Sequence, residues 1–164
     1  MPTTPPLEMW RSARLVRRAL LGGLGAAGAG ALLAPFEPPA HAEAPREFVI
    51  VVNRKNPLLS VNADFLADAF LKKATHWDSG VTIRAADQRS DAPVRRAFSA
   101  TVLRRSVAAV RFYWQQRIFA GRDVPPPEFD SEAAVILYVA KHEGGVGYVS
   151  PTAPLGDVRL IALR

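Results

Sequence analysis

The residues with the clearest chemical potential stand in RSDAPVRRAF, residues 89–98. Asp91 follows Arg89 after one residue, and Pro93 then opens an amphipathic run that predicts a helix. The N–H groups and the dipole at a helix start attract an anion. Arg89 could therefore clamp an anion at this helix start, or it could be only the ion-pair partner of Asp91.

Histidines and serines occur without the partners that catalysis or metal binding needs. His76 lies in a predicted turn and His142 at a predicted helix end, and neither has the i,i+4 partner of a metal-binding helix. No serine stands in a Gly-x-Ser-x-Gly elbow. The sequence therefore predicts a protein that is not an enzyme and that carries no metal or cofactor.

Two carboxylates, Asp87 and Asp91, are close enough in sequence to flank one site. Each also has an arginine nearby, Arg84 for the first and Arg89 for the second. Ion pairing therefore explains both carboxylates without any acid–base role.

The glycine-rich stretch GGVG, residues 144–147, looks like a phosphate loop. It follows a predicted helix and enters a predicted strand, whereas a phosphate loop needs the order strand, loop, helix. A helix cap followed by a tight turn is the better interpretation.

Hydrophobic patterning predicts eight elements in the order β-α-β-α-α-α-β-β. This order predicts an α/β fold, a sandwich around a small mixed sheet flanked by about four helices. On the second helix we expect residues 94, 97, 98, 101 and 102 to share the buried face, and on the third residues 107, 110, 114 and 118. The predicted strands are 47–53, 81–86, 146–150 and 158–163, and the helices begin after Asn62, at Asp91 or Ala92, after Ser106, and after Asp130 or Ser131.

Residues 1–42 have the pattern of an export signal. A basic start is followed by an apolar run, residues 19–34, and by the small-x-small sequence Ala40-His41-Ala42. The apolar run has 16 residues, five of them glycine, and is short for a membrane anchor, which needs about 20. Arg17-Arg18 is also typical of a twin-arginine signal. We predict cleavage after Ala42, a periplasmic location, and a single domain from residue 43 to residue 164.

The charge of the predicted mature chain argues against nucleic acid. Four arginines and two glutamates lie in the leader, so 17 of the 21 basic residues and 13 of the 15 acidic residues remain. This mild excess is scattered, without a lysine-rich tract, and therefore does not indicate a nucleic-acid interface. The absence of cysteine excludes a disulfide framework and thiol catalysis.

Several segments together resemble the phosphate-binding proteins of bacterial ABC phosphate importers, and in particular short single-lobe relatives of that family. VNADFLADAFLKKATHW, residues 61–77, is similar to the family pattern Leu-Thr-x-x-x-Leu-x-x-Ile-Phe-x-Gly-Lys-x-x-x-Trp. Asn56-Pro57 resembles the family turn before this pattern, and GGVGYV, residues 144–149, resembles its Gly-x-Ile-Gly-Tyr-Val. The resemblance implies a single lobe of the type II periplasmic-binding-protein fold.

The same resemblance implies a ligand site at residues 89–95. The family reads Arg-x-Asp-x-Ser-Gly-Thr there, and Arg89 and Asp91 match its first two residues. Pro93, Val94 and Arg95 stand at the positions of its Ser-Gly-Thr. We therefore expect Arg89, Asp91, Val94 and Arg95 to bind phosphate or a related small oxyanion. A membrane permease, or a second lobe from a dimer mate or another protein, would be the partner.

An alternative from a different class remains open. The chain could be a non-catalytic interaction module of the cell envelope that derives from this family and has lost its ligand. RDVPPPEF, residues 122–129, would then be a plausible contact, because a proline-rich segment loses little entropy on docking.

Overall fold

A five-stranded mixed sheet forms the centre of the part that the computed structural model describes, residues 47–164. The strands of the described part are β1 Val49–Asn53, β2 Ser60–Val61, β3 Arg84–Ala85, β4 Asp87–Gln88, β5 Glu128–Phe129, β6 Gly145–Val149 and β7 Val158–Leu163. The order in the five-stranded sheet is β2-β7-β1-β6-β3, with β1 antiparallel to both β6 and β7 and with β2 and β3 parallel to their neighbours. The other two strands, β4 and β5, form a separate parallel pair.

Four helices flank this sheet, as the patterning predicted: α1 Ala63–Phe70, α2 Pro93–Thr101, α3 Val107–Phe119 and α4 Glu132–Lys141. Three of them begin at a side chain that caps the first turn. Asn62, Ser106 and Ser131 accept hydrogen bonds from backbone N–H groups of α1, α3 and α4 respectively. The helix α3 ends before Gly121, whose φ of +64° suits a left-handed position.

The sheet separates two apolar clusters, which makes the described part a three-layer sandwich. Alternation along β1 places Ile50 and Val52 in a large cluster with α1, α2 and α3, and Val51 in a smaller cluster with α4. The described residues all belong to one compact unit, and both clusters lie inside it. This unit therefore carries a complete core of its own.

Two residues that were expected in the core are exposed. Thr101 lies outside because α2 buries Arg95, Phe98 and Ser99 instead, so its buried face is rotated relative to the apolar pattern. Ile118 is 50% exposed because it lies in the last turn of α3, beyond the turns in which Val110 and Trp114 are buried.

Within residues 47–164 no helix is long and apolar enough to cross a membrane. The same residues contain no group of three or more histidine, cysteine or acidic side chains that could hold a metal ion. The predicted leader, residues 1–42, lies outside the described residues.

Candidate functional site

The start of α2 leaves backbone donors without acceptors. The N-cap is Ala92, which offers no side-chain hydrogen bond, and Pro93 at the first helical position has no N–H. The next two N–H groups, those of Val94 and Arg95, have no acceptor among the described residues. The α2 start is thus the one described helix start that lacks a side-chain cap. Its donors and its dipole are available to an anion.

Arg89 and Asp91 stand beside this helix start as an exposed, two-pronged ion pair. Arg89 donates from Nε to Asp91 Oδ1 at 3.0 Å and from Nη2 to Asp91 Oδ2 at 2.6 Å. The side chains are 54% and 65% exposed. The hydrogen bond from Arg89 is the main reason that the pKa of Asp91 lies below its usual value. Asp91 therefore fixes the orientation of Arg89 while the remaining guanidinium donors face solvent.

Arg95 turns its side chain inward, away from the helix start. It is only 3% exposed and forms an ion pair with Asp87, which is also buried. The expected pairing of Asp87 with Arg84 is wrong, because Arg84 is exposed at the sheet edge. At the α2 start, Arg95 thus contributes its backbone N–H but not its charge.

Tyr148 and Gln88 complete the buried pair. The Tyr148 hydroxyl donates to Asp87 Oδ1, and the Gln88 backbone N–H donates to the same oxygen at 2.9 Å. Burial raises the pKa of both Asp87 and Tyr148, so the hydroxyl keeps its proton and remains a donor. The Tyr148 ring stacks on Phe98 of α2, with ring centres 3.9 Å apart.

This buried group was not identified from the sequence. A charged residue such as Arg95 on an amphipathic helix is ordinarily assigned to the solvent side. The available signal was Tyr148 itself, a polar aromatic residue in the middle of the apolar strand GVGYV, because a buried tyrosine hydroxyl usually has a partner.

The sequence-predicted ligand residues therefore divide into two groups. The side chains of Arg89 and Asp91 lie beside the α2 start, where the N–H groups of Val94 and Arg95 are free of acceptors. The Arg95 side chain belongs to the interior. Arg96, one residue later, donates from Nη1 to the backbone oxygen of Asp91 at 2.6 Å and so stays near the helix start.

The surface has a groove beside α2 and a separate cavity beside β3. The groove, about 620 Å³, runs between α2 and α3 and begins at Ser90, next to Arg89. The cavity, about 260 Å³, lies by β3 and is lined by Lys72, Arg84 and Tyr138 among others. Only the groove adjoins the α2 start.

No protein-family model matches the chain, and no curated protein matches it significantly in sequence. Solved structures do match. A Clostridium perfringens protein, solved with bound phosphate and assigned to the phosphate ABC transporter substrate-binding proteins, has a TM-score of 0.57 at 16% identity over 71% of this chain and 44% of its own. An ABC-type phosphate transport receptor from Vibrio cholerae has a TM-score of 0.50 at 16% identity, over 71% and 46%. PstS from Borrelia burgdorferi has a TM-score of 0.55 at 9% identity, over 72% and 47%.

These similarities establish the fold. The described part has the fold of a portion of a phosphate-binding protein, as the sequence resemblance implied, and the prediction of a mixed α/β single lobe is confirmed. The chain spans less than half the length of each of these three proteins.

Proposed function

We propose that this chain is an exported binding protein of the phosphate ABC transporter type, and that it recognises phosphate or a related small oxyanion at the start of α2. The observation that carries the proposal is the uncapped helix start beside a fixed, exposed arginine. The fold supports it, because the similar structures include a phosphate ABC transporter substrate-binding protein with phosphate bound and an ABC-type phosphate transport receptor.

The proposed contacts follow from the donors that remain free. The N–H groups of Val94 and Arg95 donate to the oxyanion along the axis of α2. Arg89 uses two of its five N–H groups on Asp91, and the others remain for the ligand. Asp91 serves to orient Arg89. No catalytic residue, metal or cofactor enters this proposal.

The magnitudes indicate that the site is one half of a complete site. A charge-assisted hydrogen bond contributes about 1.5–3 kcal/mol, and the α2 start offers only a few. Association itself costs an estimated 4–15 kcal/mol. The chain alone should therefore bind phosphate in about the millimolar range. Tighter binding needs a second lobe, from a dimer mate or a partner protein, and the bound form would meet a membrane permease.

A titration followed by amide NMR tests the proposal on the chain from residue 43 onward, the form expected after cleavage. We expect inorganic phosphate to move the amide signals of Val94 and Arg95 saturably, and more than sodium chloride does at equal ionic strength. Arg89→Ala should weaken this binding by about tenfold or more, since it removes the charged donor. Equal shifts with chloride, or an unchanged titration of Arg89→Ala, would contradict the proposal.

A substitution at the N-cap provides a second test, because it should raise the stability of the protein while it removes phosphate binding. In Ala92→Asp the new carboxylate accepts the N–H groups of the first turn, so we expect the free energy of unfolding to rise by about 0.5–2 kcal/mol. The same carboxylate occupies the anion position, so the phosphate shifts should disappear. Ala133→Asp, which adds the same charge in the first turn of α4, is the control and should leave them intact. Retained phosphate binding in a stabilised Ala92→Asp variant would place the ligand elsewhere.

A further inference from the structure

The segment from Ala92 to Arg122, which forms α2, α3 and their connection, contains seven arginines and no acidic residue. Two of these arginines are engaged inside the lobe, Arg95 with Asp87 and Arg117 with Asp123. The others lie on the surface of this segment: Arg96, Arg104, Arg105, Arg111 and Arg122. The α2–α3 side of the lobe therefore carries a concentrated positive charge, although the charge of the whole chain is mild.

The outer face of α3 presents large apolar side chains to solvent. Phe119 is 92% exposed and Phe112 is 60% exposed. They are seven residues apart, so they point in nearly the same direction from the helix. Ile118, 50% exposed, lies on the adjoining flank. Two exposed phenylalanines side by side on one helix are unusual for a surface that meets only water.

The groove between α2 and α3 carries part of this positive charge, at the N-terminal end of α3. Arg96, Arg104 and Arg105 line it together with Val107, the first residue of α3. Arg111 follows Val107 by one helical turn and so continues the same flank. Among the described carboxylates only Asp64, which contacts Arg104, pairs with one of these four arginines. Arg96 donates to the backbone oxygen of Asp91, and Arg105 lies over the Tyr113 ring. Neither of them, nor Arg111, forms an ion pair with a described carboxylate, so their positive charge can attract an external anion.

We propose that this surface, consisting of the outer face of α3 and the arginine groove, docks on an anionic lipid bilayer. The phenylalanines would enter the boundary between head groups and acyl chains, and the arginines would contact lipid phosphates. Charge complementarity favours this partner, because a lipid surface offers many phosphates in a plane beside an apolar layer. The proposal goes beyond the phosphate site and does not depend on it, since Arg89 has no part in it.

Sedimentation with lipid vesicles tests the docking, using residues 43–164, which contain the complete core and omit the apolar leader. We expect binding to vesicles of phosphatidylglycerol mixed equally with phosphatidylcholine, little binding to phosphatidylcholine alone, and weaker binding as salt rises. The double variant Phe112→Ser with Phe119→Ser should bind roughly tenfold more weakly or worse. Leu137→Ser is the matched control, because Leu137 is 56% exposed on α4, across the sheet, and should change nothing.

A pair of charge reversals distinguishes the effect of a charge on this surface from the effect of the net charge of the protein. Arg111→Glu should weaken vesicle binding by about fivefold or more. Lys55→Glu makes the same change of net charge at an exposed site outside α2 and α3, and should have a much smaller effect. Arg89→Ala should weaken phosphate binding by about tenfold or more but leave vesicle binding unchanged, so the two proposals can fail separately.

Several results would overturn the lipid proposal. Equal binding to both kinds of vesicle, or full binding by the double phenylalanine variant, would exclude this surface. Displacement by sodium phosphate beyond the effect of sodium chloride at equal ionic strength would identify the groove as a site for free phosphate. Absence of vesicle binding together with a dimer that the phenylalanine variant dissociates would show that a second copy covers α3.

Discussion

Asp87→Asn is expected to lower the free energy of unfolding by about 3–5 kcal/mol. The substitution keeps the shape of the side chain but removes the charge that compensates Arg95, which is 3% exposed. Arg95 Nε already lacks a partner inside the lobe, so the guanidinium depends on Asp87 and on the Tyr148 hydroxyl at 3.3 Å. Urea denaturation monitored by circular dichroism measures the loss.

Two comparisons make this expectation specific to the buried pair. Asp91→Asn breaks the exposed pair with Arg89 and should hardly change stability, because solvent screens that interaction. Replacing both buried partners, Asp87→Leu with Arg95→Met, should recover much of the loss of Asp87→Asn, since it leaves no unpaired charge. If Asp87→Asn were as mild as Asp91→Asn, the pair would not be what holds α2 in place.

The buried pair also supports the proposed anion site. Asp87 belongs to β4 and Arg95 to the first turn of α2, so their contact joins the helix start to the β4–β5 pair. Tyr148, which contacts both side chains, connects them to β6 of the central sheet. These contacts hold the N–H groups of Val94 and Arg95 beside Arg89. Arg95, at the position of the family's threonine, therefore directs its charged side chain into the fold, while its backbone N–H has no acceptor among the described residues.

The elements with long apolar periodicity could be predicted from the sequence. The last strand, Val158–Leu163, and the start of α1 after Asn62 are at the predicted residues. The strands β2, β4 and β5 were not predicted, because each has two residues and a period of two cannot be detected in so short a run. The strand predicted at residues 81–86 is shorter in the structure, where β3 contains only Arg84 and Ala85. The positions of these short strands depend on partners distant in sequence, such as Gly145 for Arg84.

The candidate site could be predicted only in part, because some of its contacts join residues that are distant in sequence. Arg89, Asp91 and the helix start are neighbours in sequence, so local patterning could bring them together. The inward turn of Arg95 depends on Asp87 and on Tyr148, a residue 53 positions away, and no local pattern contains that information.

Gly144→Ala is expected to be the other strongly destabilising substitution, at about 3 kcal/mol or more. Gly144 lies in the turn between α4 and β6, in keeping with the expected tight turn, and its φ is not in the left-handed region. Glycine is needed there because of close approach: a Cβ would lie 1.9 Å from the backbone oxygen of Thr82. Backbone atoms on both sides must shift to accept it.

A shift of the backbone at Gly144 would also disturb the sheet, because the Gly144 carbonyl accepts hydrogen bonds from two donors. It accepts the Arg84 backbone N–H at 2.9 Å and Trp77 Nε1 at 3.1 Å, and so fixes β3 beside β6. The control is Gly121→Ala, where φ is +64° but the space around the Cβ is open, so we expect a loss of only about 1 kcal/mol. Thermal unfolding of both variants distinguishes the two causes. A Gly144→Ala variant no less stable than Gly121→Ala would show that the turn can move away from Thr82, and that β3 is not fixed by this contact.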